Sequence, residues 1–365
     1  MGARLSTNAG TESSKVQGYF SVRQQDKIWD IIQQVVLYPT FDAAEFEKGK
    51  KRSLAGLKQA KESPRSVIGT YWDRFIYGDH PYGNPVNGDT KGIESLSPDD
   101  LRKFYRENYT PDRAAIAVVG DFKISEMKSR LNKLFKGWKK AKRKKQPALA
   151  SPQLDFAESR VLLVNKDDSR ETRFYIGGKG VPRSNPDYVG IQVVNTILGG
   201  RFTSWLNEEL RINSGLSYGA RSSFAVKRAA GTFQVSSFTK TSTTVEAIDL
   251  ALEVLDRLHK AGPDAATLES AKNYLKGGFP TDYETSGQLA GLLSDFFIYG
   301  FDEAYINEFQ QQVDALNLSK AKKIIAKYFP KEKLQFVLIG KGEVIRDKIR
   351  KYGVITELEI TAPGF

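Results

Sequence analysis

Ile28, Ile31, Ile32 and Val35 recur at the three- and four-residue spacing of one helix face, which predicts a helix from about Asp26. Two strand-like pieces precede it, around 3–6 and 16–22, with the turn-rich NAGTESS between them. LYPTFDAAEF then starts a long helix running to about Glu62 and closed by Pro64, because proline cannot continue the hydrogen-bond ladder. Further helices are predicted at 67–77 and 98–107, then a strand at AAIAVVG (114–120), then a helix at 125–135.

After residue 150 the pattern restarts with the apolar run RVLLVN at Arg160. The stretch LGGRFTSWLNEELRINSGLSYG (198–219) opens with two glycines that can end a helix. It offers Thr203 and Ser204 as N-caps and predicts a short helix through Trp205, Leu206 and Leu210 to Arg211. Asn213, Ser214 and Gly215 stop that helix, and a strand is expected from about Leu216 and Tyr218. Arg211 and Tyr218 thus flank a tight turn. On pattern alone they read first as a helix-dipole cation and a core aromatic, and two donors aimed at one point is the rival reading. GTFQVSSF from Gly231 alternates like a half-exposed strand. Thr243 with Glu246 reads as a capping box, opening a helix whose core face is Val245, Ile248, Leu252, Leu255 and Leu258.

The two halves repeat. DAAEFEKGKKRSLAG at Asp42 aligns with DAATLESAKNYLKGG at Asp264 at an offset of 222, and FIYG at Phe75 meets FIYG at Phe297 at the same offset. IESLSPDDL at Ile93 matches VDALNLSKA at Val313, and NYTP at Asn108 matches KYFP at Lys327. The predicted class is α+β: tandem duplicated units, each a mixed or antiparallel sheet with helices on one face. The expected divisions are a first domain at 1–138, a basic linker at 139–153 and a second domain at 154–365. GAR at Gly2 meets GAR at Gly219, about 58 residues after Arg160, so the first unit reads as N-terminally truncated.

Composition adds limits. In 365 residues, 40% apolar and 27% charged, no apolar run approaches the roughly 20 residues of a membrane span. Without cysteine, thiol and disulfide chemistry is excluded. Of the net charge of +12, seven positive charges lie in KGWKKAKRKK (136–145). That run reads as a solvated linker, and contact with nucleic acid or an anionic surface is the rival reading. The only histidines are His80 and His259, in no ligand spacing, one in the turn GDHPYG and one in a last helical turn.

YPTFDAAEFEKGK, YGDHPYG, NYTPDRAAIAVVGDF and, most specifically, LGGRFTSWLNEELRINSGLSYG resemble the pitrilysin/insulinase family of metallopeptidases, particularly its bacterial two-domain subunits. In that family an inverted His-x-x-Glu-His motif and a later Glu hold zinc in the first domain. The resemblance places the third ligand at Gly56, which has no side chain to give, and the motif itself does not occur in this sequence. No metal ligand or cofactor is therefore expected of this chain, and zinc is expected in a partner subunit. The resemblance assigns Arg211 and Tyr218 to substrate binding and transition-state stabilisation, with Gly215 and Gly219 shaping the turn between them.

Together these imply a zinc-free subunit, inactive alone, that pairs with a zinc-bearing relative in a hetero-oligomer, encloses peptides and supplies Arg211 and Tyr218 to the shared site. Two rivals stay open: a non-catalytic scaffold subunit, and a full-length peptidase whose reading frame starts upstream. No nucleic-acid partner is expected, and the compartment is open between bacterial periplasm and cytoplasm.

Overall fold

The structure is a computed structural model of the chain and describes residues 2–140 and 149–364. Much of the 139–153 linker read from sequence therefore lies outside the described residues. The chain forms two compact units that are discontinuous in sequence. One gathers Met1–Gly56, Val86–Ala148 and Pro280–Asp302; the other gathers Leu57–Pro85, Leu149–Phe279 and Glu303–Phe365. The FIYG helices, Pro64–Tyr77 and Ser286–Tyr299, are counterparts in the repeat, and each belongs to the unit built mainly from the other half.

In the larger unit, strands β3 (Arg160–Asn165), β4 (Glu171–Lys179), β5 (Arg221–Val226), β6 (Gly231–Lys240), β7 (Gln335–Gly340) and β8 (Val354–Glu359) form one sheet. Their order is β5-β6-β4-β7-β3-β8. β4 runs antiparallel to β6 and β7, and β5 antiparallel to β6, while β3 runs parallel to β7 and β8, so the sheet is mixed. RVLLVN and QFVLIG are unbroken apolar runs because both their faces are buried. Val161, Leu163, Phe336 and Leu338 face a core shared with the Tyr188–Asn195, Thr244–Lys260 and Leu318–Tyr328 helices. Leu162, Val164, Val337 and Ile339 face the other way, against Val67, Ile68, Tyr71 and Trp72 of the Pro64–Tyr77 helix. Trp72 is fully buried there and donates its indole N–H to Thr232 Oγ1 at 3.3 Å.

The smaller unit holds one antiparallel hairpin, β1 (Arg4–Ala9) with β2 (Ser14–Tyr19), and helices including Gln25–Leu37, Ala43–Ala60, Pro98–Asn108 and Ile124–Phe135. Ile28 and Trp29 are buried, and Phe20 meets the Trp29 ring edge-on at 6.1 Å. Lys15 pairs with Asp295 at 3.1 Å, and Tyr299 donates to Glu12 Oε2 at 3.1 Å, which holds the Ser286–Tyr299 helix to the hairpin.

The α+β class, with mixed sheet and helices, is as the sequence indicates. Three local expectations are corrected. Residues 114–119 belong to no strand. Their repeat counterpart, β7, is paired on both sides, by β4 and β3, and residues 2–140 contain no counterpart of either. Thr243 makes no capping box: its hydroxyl is held by Thr239 Oγ1 at 2.6 Å and the Lys240 carbonyl at 3.1 Å, because a short 3-10 turn precedes the helix. The strand expected from Leu216 starts only at Arg221, since residues 214–220 form a bonded turn.

Candidate functional site

The site is assembled from the stretch between the Tyr188–Asn195 helix and β5. That helix widens into a π-turn, Thr196–Gly200, laid so closely on β5 that a Cβ on Gly199 would come within 2.1 Å of the Ser222 nitrogen. Ser204 then opens a short helix with extended backbone, and Trp205, Leu206 and Leu210 are buried beneath it. The expected α-helix to Arg211 is only partly realised. It is α-helical over Trp205–Asn207 and becomes a second π-turn over Glu208–Asn213, closed by a bond from Ser214 N–H to the Glu209 carbonyl at 3.0 Å. Such wide turns rotate a side chain away from the direction regular helix geometry gives it, and they recur at functional sites.

Arg211 stands on this second π-turn. It is exposed, and its guanidinium carbon lies 4.8 Å from the centre of the Phe202 ring, itself 63% exposed. Tyr218 is 80% exposed. Neither the guanidinium nor the phenol has a hydrogen-bond or ion-pair partner among the described residues.

Buried polar groups hold the frame on which the two side chains stand. Ser217 donates its N–H to the Leu210 carbonyl at 2.9 Å, which joins the arm bearing Arg211 to the arm bearing Tyr218. Ser237 Oγ, on β6, bonds both Ser217 Oγ and the Gly219 carbonyl at 3.0 Å. Thr239 Oγ1 donates to the Leu216 carbonyl at 2.7 Å. Asn207, almost fully buried, donates to the Phe202 carbonyl at 2.7 Å and accepts from Ala220 N–H at 3.3 Å. On the other flank Arg257 stacks 4.1 Å from the Trp205 ring centre and bonds Glu209 at 3.3 Å, and Asn213 donates to the same carboxylate at 3.0 Å. Burial makes every unmade bond in such a network costly, which favours one loop geometry.

Of the two glycines expected to shape the turn, Gly215 has φ +65°, in the left-handed region. Gly219 lies outside that region, and a Cβ there would sit 3.7 Å from Asn207 Oδ1, an ordinary contact. Phe202, Asn207, Ser217 and Ser237 were not singled out from the sequence. The one signal for Asn207 was an amide among the apolar residues of a short helix.

The described residues do not fit a zinc ion. His80 caps the Pro81–Gly83 turn: its Nδ1 accepts from Tyr82 N–H at 3.1 Å, and its Nε2 lies 2.9 Å from the Ala150 carbonyl, to which it donates. His259 lies in the last turn of the Thr244–Lys260 helix, with Nε2 buried and unpartnered. Gly56 is exposed on the Ala43–Ala60 helix with open space where a side chain would start. No three His, Asp or Glu side chains gather as metal ligands among the described residues, and no helix among them is long and apolar enough to cross a membrane.

The sequence pattern of the family described as "Peptidase M16 inactive domain" matches residues 95–275. The "Uncharacterized zinc protease YmxG" of Bacillus subtilis (strain 168) is 23% identical over 304 residues, covering 83% of this chain and 72% of that protein. The "Non-peptidase homolog YmxG" of Helicobacter pylori is 22% identical over 341 residues, covering 92% of this chain and 77% of that protein. The crystal structure of a peptidase M16 inactive domain from Pseudomonas fluorescens superposes with a TM-score of 0.85 at 25% identity, covering 93% of this chain and 81% of that one. With the mixed sheet and the 198–219 turn in place, these matches show that the chain carries a peptidase M16 inactive domain across residues 95–275 and shares the fold of that domain.

Proposed function

We propose that the chain is a zinc-free subunit of a heteromeric peptidase, inactive alone, which closes over an unfolded peptide and presents Arg211 and Tyr218 to the scissile bond held by a zinc-bearing partner. The observation that carries this reading is the pairing of Leu210 and Ser217. One 2.9 Å backbone bond sets an uncommitted guanidinium and an uncommitted phenol on adjoining arms of a rigid turn. Both are donors without acceptor competition, and a peptide carbonyl becomes a better acceptor as negative charge develops on it. Donors already in place stabilise that charge without reorganising, and more strongly once water is excluded. Gly215, at φ +65°, bends the same turn between them.

In this reading general-base and Lewis-acid chemistry comes from the zinc-bearing partner. The test is to assay the purified chain, a zinc-bearing family subunit, and their mixture on a quenched fluorogenic peptide. The chain alone should cleave nothing and the mixture should cleave.

A non-catalytic scaffold is the second reading, supported by the relative named a non-peptidase homologue. A stable complex that cleaves no peptide, and that is indifferent to changes at Arg211 and Tyr218, would favour it.

A further inference from the structure

The outer face of β4, β5 and β6 gathers cations that have no acid bound to them. Val235 lies in the core and pairs with Ser222 and Ile176, so Ser236, the next residue on β6, points to the opposite face. Its neighbours there are Arg221 on β5 and Tyr175 on β4. Arg173, two residues before Tyr175, shares that face and pairs with Phe238. Arg221 is therefore directly opposite Ser236 and Arg173 is diagonal to it, at about 5 Å and about 7 Å between Cβ atoms.

The Arg173 guanidinium lies over the Phe238 ring, 4.7 Å from its centre, and its N–H donors bond none of the described residues. Burial first, and Arg65 of the Pro64–Tyr77 helix after it, hold this half-buried cation below its ordinary value, against the pull of Tyr175 and Glu171. Arg65, Arg173 and Arg221 form no ion pair among the described residues. The acids whose field reaches this face are engaged elsewhere: Asp73 bonds Lys227 at 3.2 Å, and Glu171 faces Lys240 directly across β6. The Ser236 hydroxyl also bonds none of the described residues. A half-buried cation beside a second one is unfavourable on both counts, lost hydration and repulsion, and an anion between them relieves both. The guanidinium fork matches the paired oxygens of a carboxylate or a phosphate, and a hydroxyl adds a neutral donor.

We propose that Arg173, Arg221 and Ser236, with Arg65 and Tyr175 at the margin, form a binding site for an oxyanion, either phosphate or carboxylate. Ser237 points the other way, into the bonds that hold the frame of Arg211 and Tyr218, so the site stands apart from the roles proposed for that pair.

Isothermal titration of the full chain at low ionic strength tests this, with inorganic phosphate and with a short polyglutamate peptide, each against sodium chloride of equal ionic strength. At least one of the two should bind saturably where chloride does not. Phosphate alone would identify a free oxyanion as the ligand, and the peptide alone a carboxylate carried on a chain; either result supports the site. Arg173→Gln and Arg221→Gln should each weaken binding about tenfold or more, the scale of a charged hydrogen bond, and Ser236→Ala about fivefold. Arg173→Lys keeps the charge without the fork and should fall short of wild-type affinity. Lys322→Gln removes an exposed cation elsewhere and should change nothing. Circular dichroism checks the fold of each variant, and if Arg173→Gln does not fold, Arg221→Gln, at an exposed position, decides alone. No saturable binding of either anion, wild-type affinity in Arg221→Gln or in folded Arg173→Gln, or an equal loss in Lys322→Gln would overturn the proposal. Loss of binding in Arg211→Ala with wild-type affinity in Arg221→Gln would place the anion on the other guanidinium and overturn it as well.

Discussion

Ser217 and Leu210 are joined by a backbone hydrogen bond of 2.9 Å, and the residues that follow them are Tyr218 and Arg211. Two side chains distant in their roles in secondary structure, one on a π-turn and one in a loop, are thereby set on one small frame. The frame has a single geometry because Ser237 and Asn207 satisfy its main-chain groups from the buried side.

The two turn glycines should respond differently to substitution. Gly215→Ala forces a side chain into left-handed backbone at φ +65° and should cost about 1–2 kcal/mol. Gly219→Ala meets only an ordinary contact at 3.7 Å and should be close to neutral. Urea unfolding of the two variants measures the contrast.

Gly56 lies exposed within the Ala43–Ala60 helix, with nothing near its missing side chain. Gly56→Ala should stabilise by about 0.5–1 kcal/mol, since alanine loses less backbone entropy there. Gly56→Glu should leave the zinc content of the purified chain unchanged, as read by elemental analysis, because no His or carboxylate partners gather around any such position among the described residues.

The second-half sheet depends on a helix from the first half. Trp72 fills the face formed by Val164, Val337 and Ile339, so Trp72→Ala should cost about 3–5 kcal/mol. Residues 149–365 expressed alone should bind a hydrophobic dye, and adding a peptide of residues 57–85 in trans should reduce that binding.

Burial, with Lys331 nearby, holds the His259 imidazole below its ordinary value of 6.5, outweighing the Phe329 carbonyl and Asp256. The unfolded chain therefore takes up the proton first as pH falls. The contribution of His259 to stability is complete above about pH 6.5 and is lost as pH drops toward the folded-state value. His259→Asn should flatten the stability-versus-pH curve on that acid side, measured as urea midpoints across pH 5 to 8 at about unit steps.

The legible and illegible parts of the sequence divide on physical grounds. RVLLVN and GTFQVSSF announced their strands because burial on two faces, or on one, is written directly in the order of apolar residues. The 222-residue offset between the FIYG motifs revealed the duplication, but not that each FIYG helix packs in the unit made mainly from the other half, since packing partners leave no periodicity. AAIAVVG has strand composition, yet residues 114–119 join no ladder, because composition records fitness for a sheet and not the presence of a neighbour. At the candidate site, family resemblance is what singles out Arg211 and Tyr218, whose roles are proposed. The π-turn that aims Arg211 and the buried Asn207 and Ser237 that fix the frame were not legible, because i→i+5 turns have no sequence period of their own.

The most direct test compares wild type with Arg211→Ala in the complex with a zinc-bearing family subunit, reading kcat/KM on a fluorogenic peptide and co-elution by size-exclusion chromatography. The account predicts an unchanged complex and a fall in kcat/KM of about 10² or more, the scale of losing a transition-state donor. Full activity with Arg211→Ala in the intact complex would contradict it.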